Sequence, residues 1–122
     1  MEIAELSHEQ RMALVALVET MAVVDGEVSE EEEQEIGGIA EALGDETYRR
    51  LLDEAGRRFP DERRLRAFLP SITDPEARDL IYEKVVEAAQ AEPPVGSERA
   101  ALLEWLARTW DIRVDVQSET EE

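Results

Sequence analysis

Between Met12 and Val24 the chain is apolar at every position except Glu19 and Thr20, in a sequence where 36% of residues are charged. A run that short of polar surface needs covering on several sides. With Leu14, Leu17, Val18 and Met21 at helical spacing, it reads as the central helix of a bundle. The interruption at Glu19 and Thr20 leaves it below the roughly 20 apolar residues that a membrane-spanning helix needs.

The rest of the chain divides into helices by its own punctuation. Ser7 and Gln10 have the spacing of a capping box, so the first helix is expected to open at Ser7 and close near Val24, before Asp25-Gly26. Ser29 and Glu32 repeat the pattern for a second helix, with Ile36, Ile39, Ala40 and Leu43 as its stripe, Glu30 to Glu33 near the positive end of its dipole, and Gly44 as its left-handed close. Gly37 and Gly38 inside it predict close contact with a neighbouring helix. A third helix over 45–58 turns Tyr48, Leu51, Leu52, Ala55 and Phe59 inward and stops before Pro60. Residues 61–69 form a short fourth, presenting Leu65, Phe68 and Leu69. Asp74-Pro75 opens a fifth, with Leu80, Ile81, Val85 and Ala88 inward. Pro93-Pro94-Val95-Gly96 breaks it, and Ser97 opens a sixth with Leu102, Leu103, Leu106, Ala107 and Trp110 on one side. Trp105 falls off that stripe and is expected to anchor the following segment, Ile112 to Val116. The alternation there is strand-like, but a lone strand lacks a partner. The expectation is therefore an all-α, compact single-domain bundle of about six helices over residues 1–112, with an acidic, flexible tail over 113–122.

Composition narrows function. There is no cysteine, so thiolate metal sites, cysteine nucleophiles and Cys-His arrangements are out of reach, and the one histidine, His8, leaves little for imidazole chemistry. Paired carboxylates alone could serve a metal-dependent hydrolase, but among 31 acids such pairs arise by chance. A non-enzymatic role is expected. His8 reads as exposed, with no acid or cysteine near it at ligand spacing. Net charge is −18, which repels nucleic acid and anionic membrane surfaces and favours cations or basic protein surfaces. Residues 1–44 hold Arg11 as their sole Lys or Arg, whereas Arg49, Arg50, Arg57, Arg58, Arg63, Arg64 and Arg66 crowd the middle. Asp53, Glu54, Asp61 and Glu62 are interleaved with these arginines, so local ion pairing is expected ahead of binding to a phosphorylated or acidic partner. The N-terminus shows no secretory signal and neither end a lipidation motif, which predicts cytoplasmic residence.

The stretch Leu14 to Leu43, and within it Asp25-Gly26-Glu27-Val28-Ser29 followed by Glu32, resembles the first half of the TerB-like (tellurite resistance) family pattern. Asp79 to Ile112 resembles a second half, since the family is an internal helical duplication, so a pseudo-duplicated helix-turn-helix arrangement is implied. The second half departs from the pattern at Glu92-Pro93, where the family has another Asp-Gly. Glu98 aligns with a second-half glutamate only after a one-residue shift. The resemblance implies a stress-response, protein-interaction role and a divalent-cation site.

In this chain Asp25, Glu27 and Glu32 surround one helix-turn-helix corner, where carboxylate oxygens suit Ca²⁺ or Mg²⁺. The spacing is not that of an EF-hand, because Gly26 directly follows Asp25. The competing reading is structural: Asp25 stabilises the turn, Gly26 takes a positive φ and Glu32 completes a helix cap.

Overall fold

The computed structural model describes residues 2–24, 30–88 and 98–112, with the side chains of residues 22–24, 30–32, 35, 98 and 99 excepted. Six α-helices and two 3-10 turns make up the described chain. They are α1 (His8–Val24), α2 (Glu30–Leu43), α3 (Asp45–Arg58), α4 (Glu62–Phe68), α5 (Pro75–Ala88) and α6 (Glu98–Thr109), with the 3-10 turns at Ile3–Glu5 and Leu69–Ser71. The all-α bundle expected from the periodicity is the fold observed, and no helix among the described residues is long and apolar enough to cross a membrane.

Caps and breakers set the helix ends where local chemistry requires them. The Ser7 amide donates to Gln10 Oε1 at 2.8 Å and the Gln10 amide to Ser7 Oγ at 3.2 Å, a reciprocal capping box opening α1. Gly44 is the sole residue between α2 and α3. Its amide donates to the Ala40 carbonyl and its own carbonyl accepts from the Tyr48 amide, both at 2.8 Å. It ends one helix and starts the next at φ 95°, a conformation that a side chain would strain. Asp61 caps α4 by accepting the Arg64 amide at 2.9 Å, and Asp74 accepts the Glu76 amide at 3.1 Å beside Pro75. Asp111, at φ 53°, closes α6: its amide bonds the Arg108 carbonyl and the Ile112 amide the Ala107 carbonyl, the two bonds of a Schellman motif.

Burial follows the sequence stripes. Met12 to Val18 and Met21 of α1 are buried, most of them completely. The helix packs mainly on α5 and α3 and also meets α4 and α6, the central place its composition requires. Its packing on α5 joins the first helices of the two expected helix-turn-helix halves. Ile39, Tyr48, Leu51, Ala55, Leu65, Leu69, Ile81, Val85, Ala88, Leu102, Leu103, Leu106 and Trp110 complete most of the core. Leu80, expected inward, is only half-buried, and Ala77 takes the fully buried position of that helix turn. Ile3, Leu6 and Ile72 join the core from 3-10 turns and a loop, where no helical stripe marked them.

One packing expectation fails. Gly37 and Gly38 are exposed, and a β-carbon built on either meets nothing within 4 Å, so no neighbouring helix approaches them. Their cost is then purely conformational. Gly37→Ala and Gly38→Ala are each expected to raise the unfolding free energy by about 0.5–1 kcal/mol in urea denaturation; a loss of stability in either would show that a close contact exists there after all.

Candidate functional site

The segment expected to form an acidic corner lies in sequence between α1 and α2. Asp25 directly follows Val24, the last residue of α1, and Glu32 belongs to the first turn of α2. Asp25, Glu27 and the Glu32 side chain lie outside the described residues, as do Glu92-Pro93, the Glu98 side chain and the segment from Arg113 onward. Among the described residues no group of three His, Cys, Asp or Glu side chains could hold a metal ion.

His8 is exposed, as expected, but it does have an acidic partner. Its Nε2 lies 2.9 Å from Glu54 Oε1, contributed by α3 from 46 positions away, which no local spacing could reveal. Beside it Arg58 forks onto Glu9, at 3.0 and 3.2 Å, and reaches Glu54 at 3.6 Å. The same guanidinium lies 5.6 Å and 5.2 Å from the ring centroids of Phe59 and Phe68. The Arg58 hydrogen bond holds the Glu9 carboxyl below its ordinary value, so the stability this tie contributes is complete above the ordinary carboxylate range and is lost as pH falls through the lowered value. Both partners are largely solvated, which keeps the contribution small. The group reads as a clasp between the start of α1 and the end of α3.

The arginine-rich middle is paired in part, as expected. Arg58 takes Glu54, and Arg66 Nε donates to Glu62 at 2.7 Å. Asp61 serves instead as the α4 cap, and Glu9 is a partner from another helix. Trp105 is half-buried, and the Arg66 guanidinium sits 4.8 Å from its ring centroid. One face of the indole thus docks α4 on α6 by a cation-π contact, a use its off-stripe position did not indicate.

Between α1, α3 and the start of α4 lies an open groove of about 540 Å³. Ala16, Leu52, Ala55, Phe59 and Leu65 supply its apolar lining, and Glu19, Thr20, Asp61 and Glu62 its polar side chains. Gly56 leaves the α3 backbone uncovered along one wall. Glu19, the acid that interrupts the apolar run of α1, is half-buried and accepts a hydrogen bond from the Tyr48 hydroxyl at 3.1 Å. Burial, and then the Glu19 charge, push the Tyr48 hydroxyl far above the ordinary tyrosine range, so it remains a neutral donor. Along the sequence Glu19 shows only as a break in hydrophobicity. The available signal was a carboxylate on an otherwise buried helix, which must either reach solvent or find a partner.

Two further depressions lie at the α5–α6 end. One, of about 610 Å³, is bordered by Thr73, Arg78, Asp79 and Trp110, but Arg78 is committed to the Ile72 carbonyl at 2.5 Å. The other, of about 520 Å³, runs along Tyr82, Leu103, Ala107 and Ile112.

No family model, no curated protein and no solved structure matches this chain.

Proposed function

We propose that this chain is a non-enzymatic helical interaction module of the TerB-like, stress-response type, which docks a partner protein and is tuned by a divalent cation held at Asp25, Glu27 and Glu32. The observation that carries the docking part is the open groove between α1, α3 and α4, where Leu52 and Phe59 are only partly buried beside acidic side chains. Helical proteins capture partners through apolar surface with a polar rim. The type comes from the resemblance around Asp25-Gly26-Glu27-Val28-Ser29. The cation follows from carboxylate chemistry, since three acids at one corner suit Ca²⁺ or Mg²⁺.

A second reading is an interaction or oligomerisation module in which the corner is purely structural. It is favoured by Ser7 and Gln10, where the same spacing works as a helix cap. A metal-dependent hydrolase ranks behind both.

Two measurements on the full chain test the proposal. Panning a random peptide display library, with Ca²⁺ or with a chelator, is expected to enrich a consensus that binds more tightly with the cation. Calorimetric titration with Ca²⁺, Mg²⁺ and Zn²⁺ is expected to show saturable binding that disappears in the Asp25→Asn/Glu32→Gln double variant. A consensus indifferent to cation, with non-saturating heats in both proteins, would select the structural reading. Panning without any consensus would overturn the interaction module.

A further inference from the structure

The groove between α1, α3 and α4 has a lining that is apolar and acidic at once. Every ionisable residue lining it is an acid, namely Glu19, Asp61 and Glu62. Two of the three are already engaged: Asp61 caps α4 and Glu62 is held by Arg66. Glu19 differs. It is half-buried against apolar neighbours, its observed partner is the neutral Tyr48 hydroxyl, and no cation pairs with it among the described residues. A carboxylate in that position gains most from an incoming cation, because attraction strengthens as water is displaced.

Gly56, on the wall of the same groove, adds to this. It lies within α3, where glycine costs about 1 kcal/mol relative to alanine. A β-carbon at Gly56 meets nothing within 4 Å, so packing within the described chain does not require the glycine. Unlike Gly37 and Gly38 it lies on a groove wall, where a bare stretch of helix backbone leaves room for close approach.

We propose that this groove binds a basic amphipathic segment of a partner protein, seating an aliphatic or aromatic side chain against Leu52 and Phe59, with a lysine or arginine at Glu19 and backbone close to Gly56. The proposal rests on the interaction-module reading and supplies the partner's chemistry. Charge agrees, since a chain of net charge −18 attracts a basic segment. An apolar face at helical spacing on such a segment suits a helix-in-groove mode.

The test uses the full chain and a fluorescein-labelled synthetic peptide with leucines at helical spacing and lysines between them. A second peptide of equal charge has serine for every leucine. Anisotropy titrations at physiological ionic strength compare the native protein with Gly56→Leu, which fills the groove, Glu19→Gln, which keeps an acceptor for Tyr48, and Glu33→Gln, which removes an exposed charge on α2. Circular dichroism confirms that each is folded. Gly56→Leu and Glu19→Gln are expected to weaken the leucine peptide about tenfold or more, a change of roughly 1.4 kcal/mol or above, with Glu33→Gln unchanged and the serine peptide weak throughout. Equal affinity across the variants, equal affinity for the two peptides, or no binding by the native protein would overturn the assignment. A panning consensus without basic residues would also overturn it while leaving the interaction module standing; panning with no consensus would remove both.

Discussion

Leu17→Ala is expected to lower the unfolding free energy by about 2–5 kcal/mol. Leu17 is completely buried in α1, the helix that packs on α5 and α3 and also touches α4 and α6. Truncation removes the transfer energy of its methyl groups and leaves a void that rigid neighbours on several sides fill poorly. A domain of this size has roughly 5–15 kcal/mol of stability in all, so the variant should unfold at much lower urea concentration. The slope of that transition should be unchanged, because the same surface is exposed. A loss under about 1 kcal/mol would mean that α1 is not the shared core element, since only a site free to collapse yields so little.

Trp110→Ala is expected to cost about 3–5 kcal/mol, and Trp110→Phe about 1–3 kcal/mol. Trp110 follows α6, is 3% exposed, and donates Nε1–H to the Leu69 carbonyl at 2.9 Å. Its ring lies 6.0 Å from the Arg78 guanidinium, whose Nη1 reaches the Trp110 carbonyl at 3.4 Å. The alanine variant loses both the buried ring and the hydrogen bond. Phenylalanine keeps most of the apolar volume and leaves the Leu69 carbonyl with the Ile72 amide, at 3.1 Å, as its donor, so its smaller cost reports the indole hydrogen bond and the lost part of the ring. If Trp110→Phe cost nothing in denaturation, the Leu69 bond would be exchangeable with water, and the tie between α6 and the turn after α4 would rest on packing alone.

The different fates of these residues show which information is local. Ser7 with Gln10, Asp74-Pro75 and Gly44 each decide a helix end through atoms within four residues, so those boundaries were legible from spacing, whereas Asp61, expected to pair with an arginine, caps α4. The aliphatic stripes were equally legible, because helical periodicity places them on one face whatever that face meets. The exposed Gly37 and Gly38 show the limit of this reasoning: glycine within a helix marks a conformational cost, and only the position of the other helices says whether a contact lies behind it. Ile3, Leu6 and Ile72 entered the core without any stripe because 3-10 turns and loops have no long period to read.

The groove was legible least of all. Glu19 and Tyr48 are 29 positions apart, His8 and Glu54 46, Arg58 and Glu9 49, Trp110 and Leu69 41. By itself the sequence determined the all-α class, the helix ends that Ser7, Gly44 and Asp74-Pro75 mark, the identity of the central helix and the sign of the charge, since these depend on neighbours along the chain and on composition. Tertiary structure alone decided that Glu9 met Arg58 and Glu54 met His8, where Glu19 was left with a neutral partner, and that Glu19, Phe59 and Leu65 border one groove, because side chains so far apart in sequence meet only once the packing angles of α1, α3 and α4 are set.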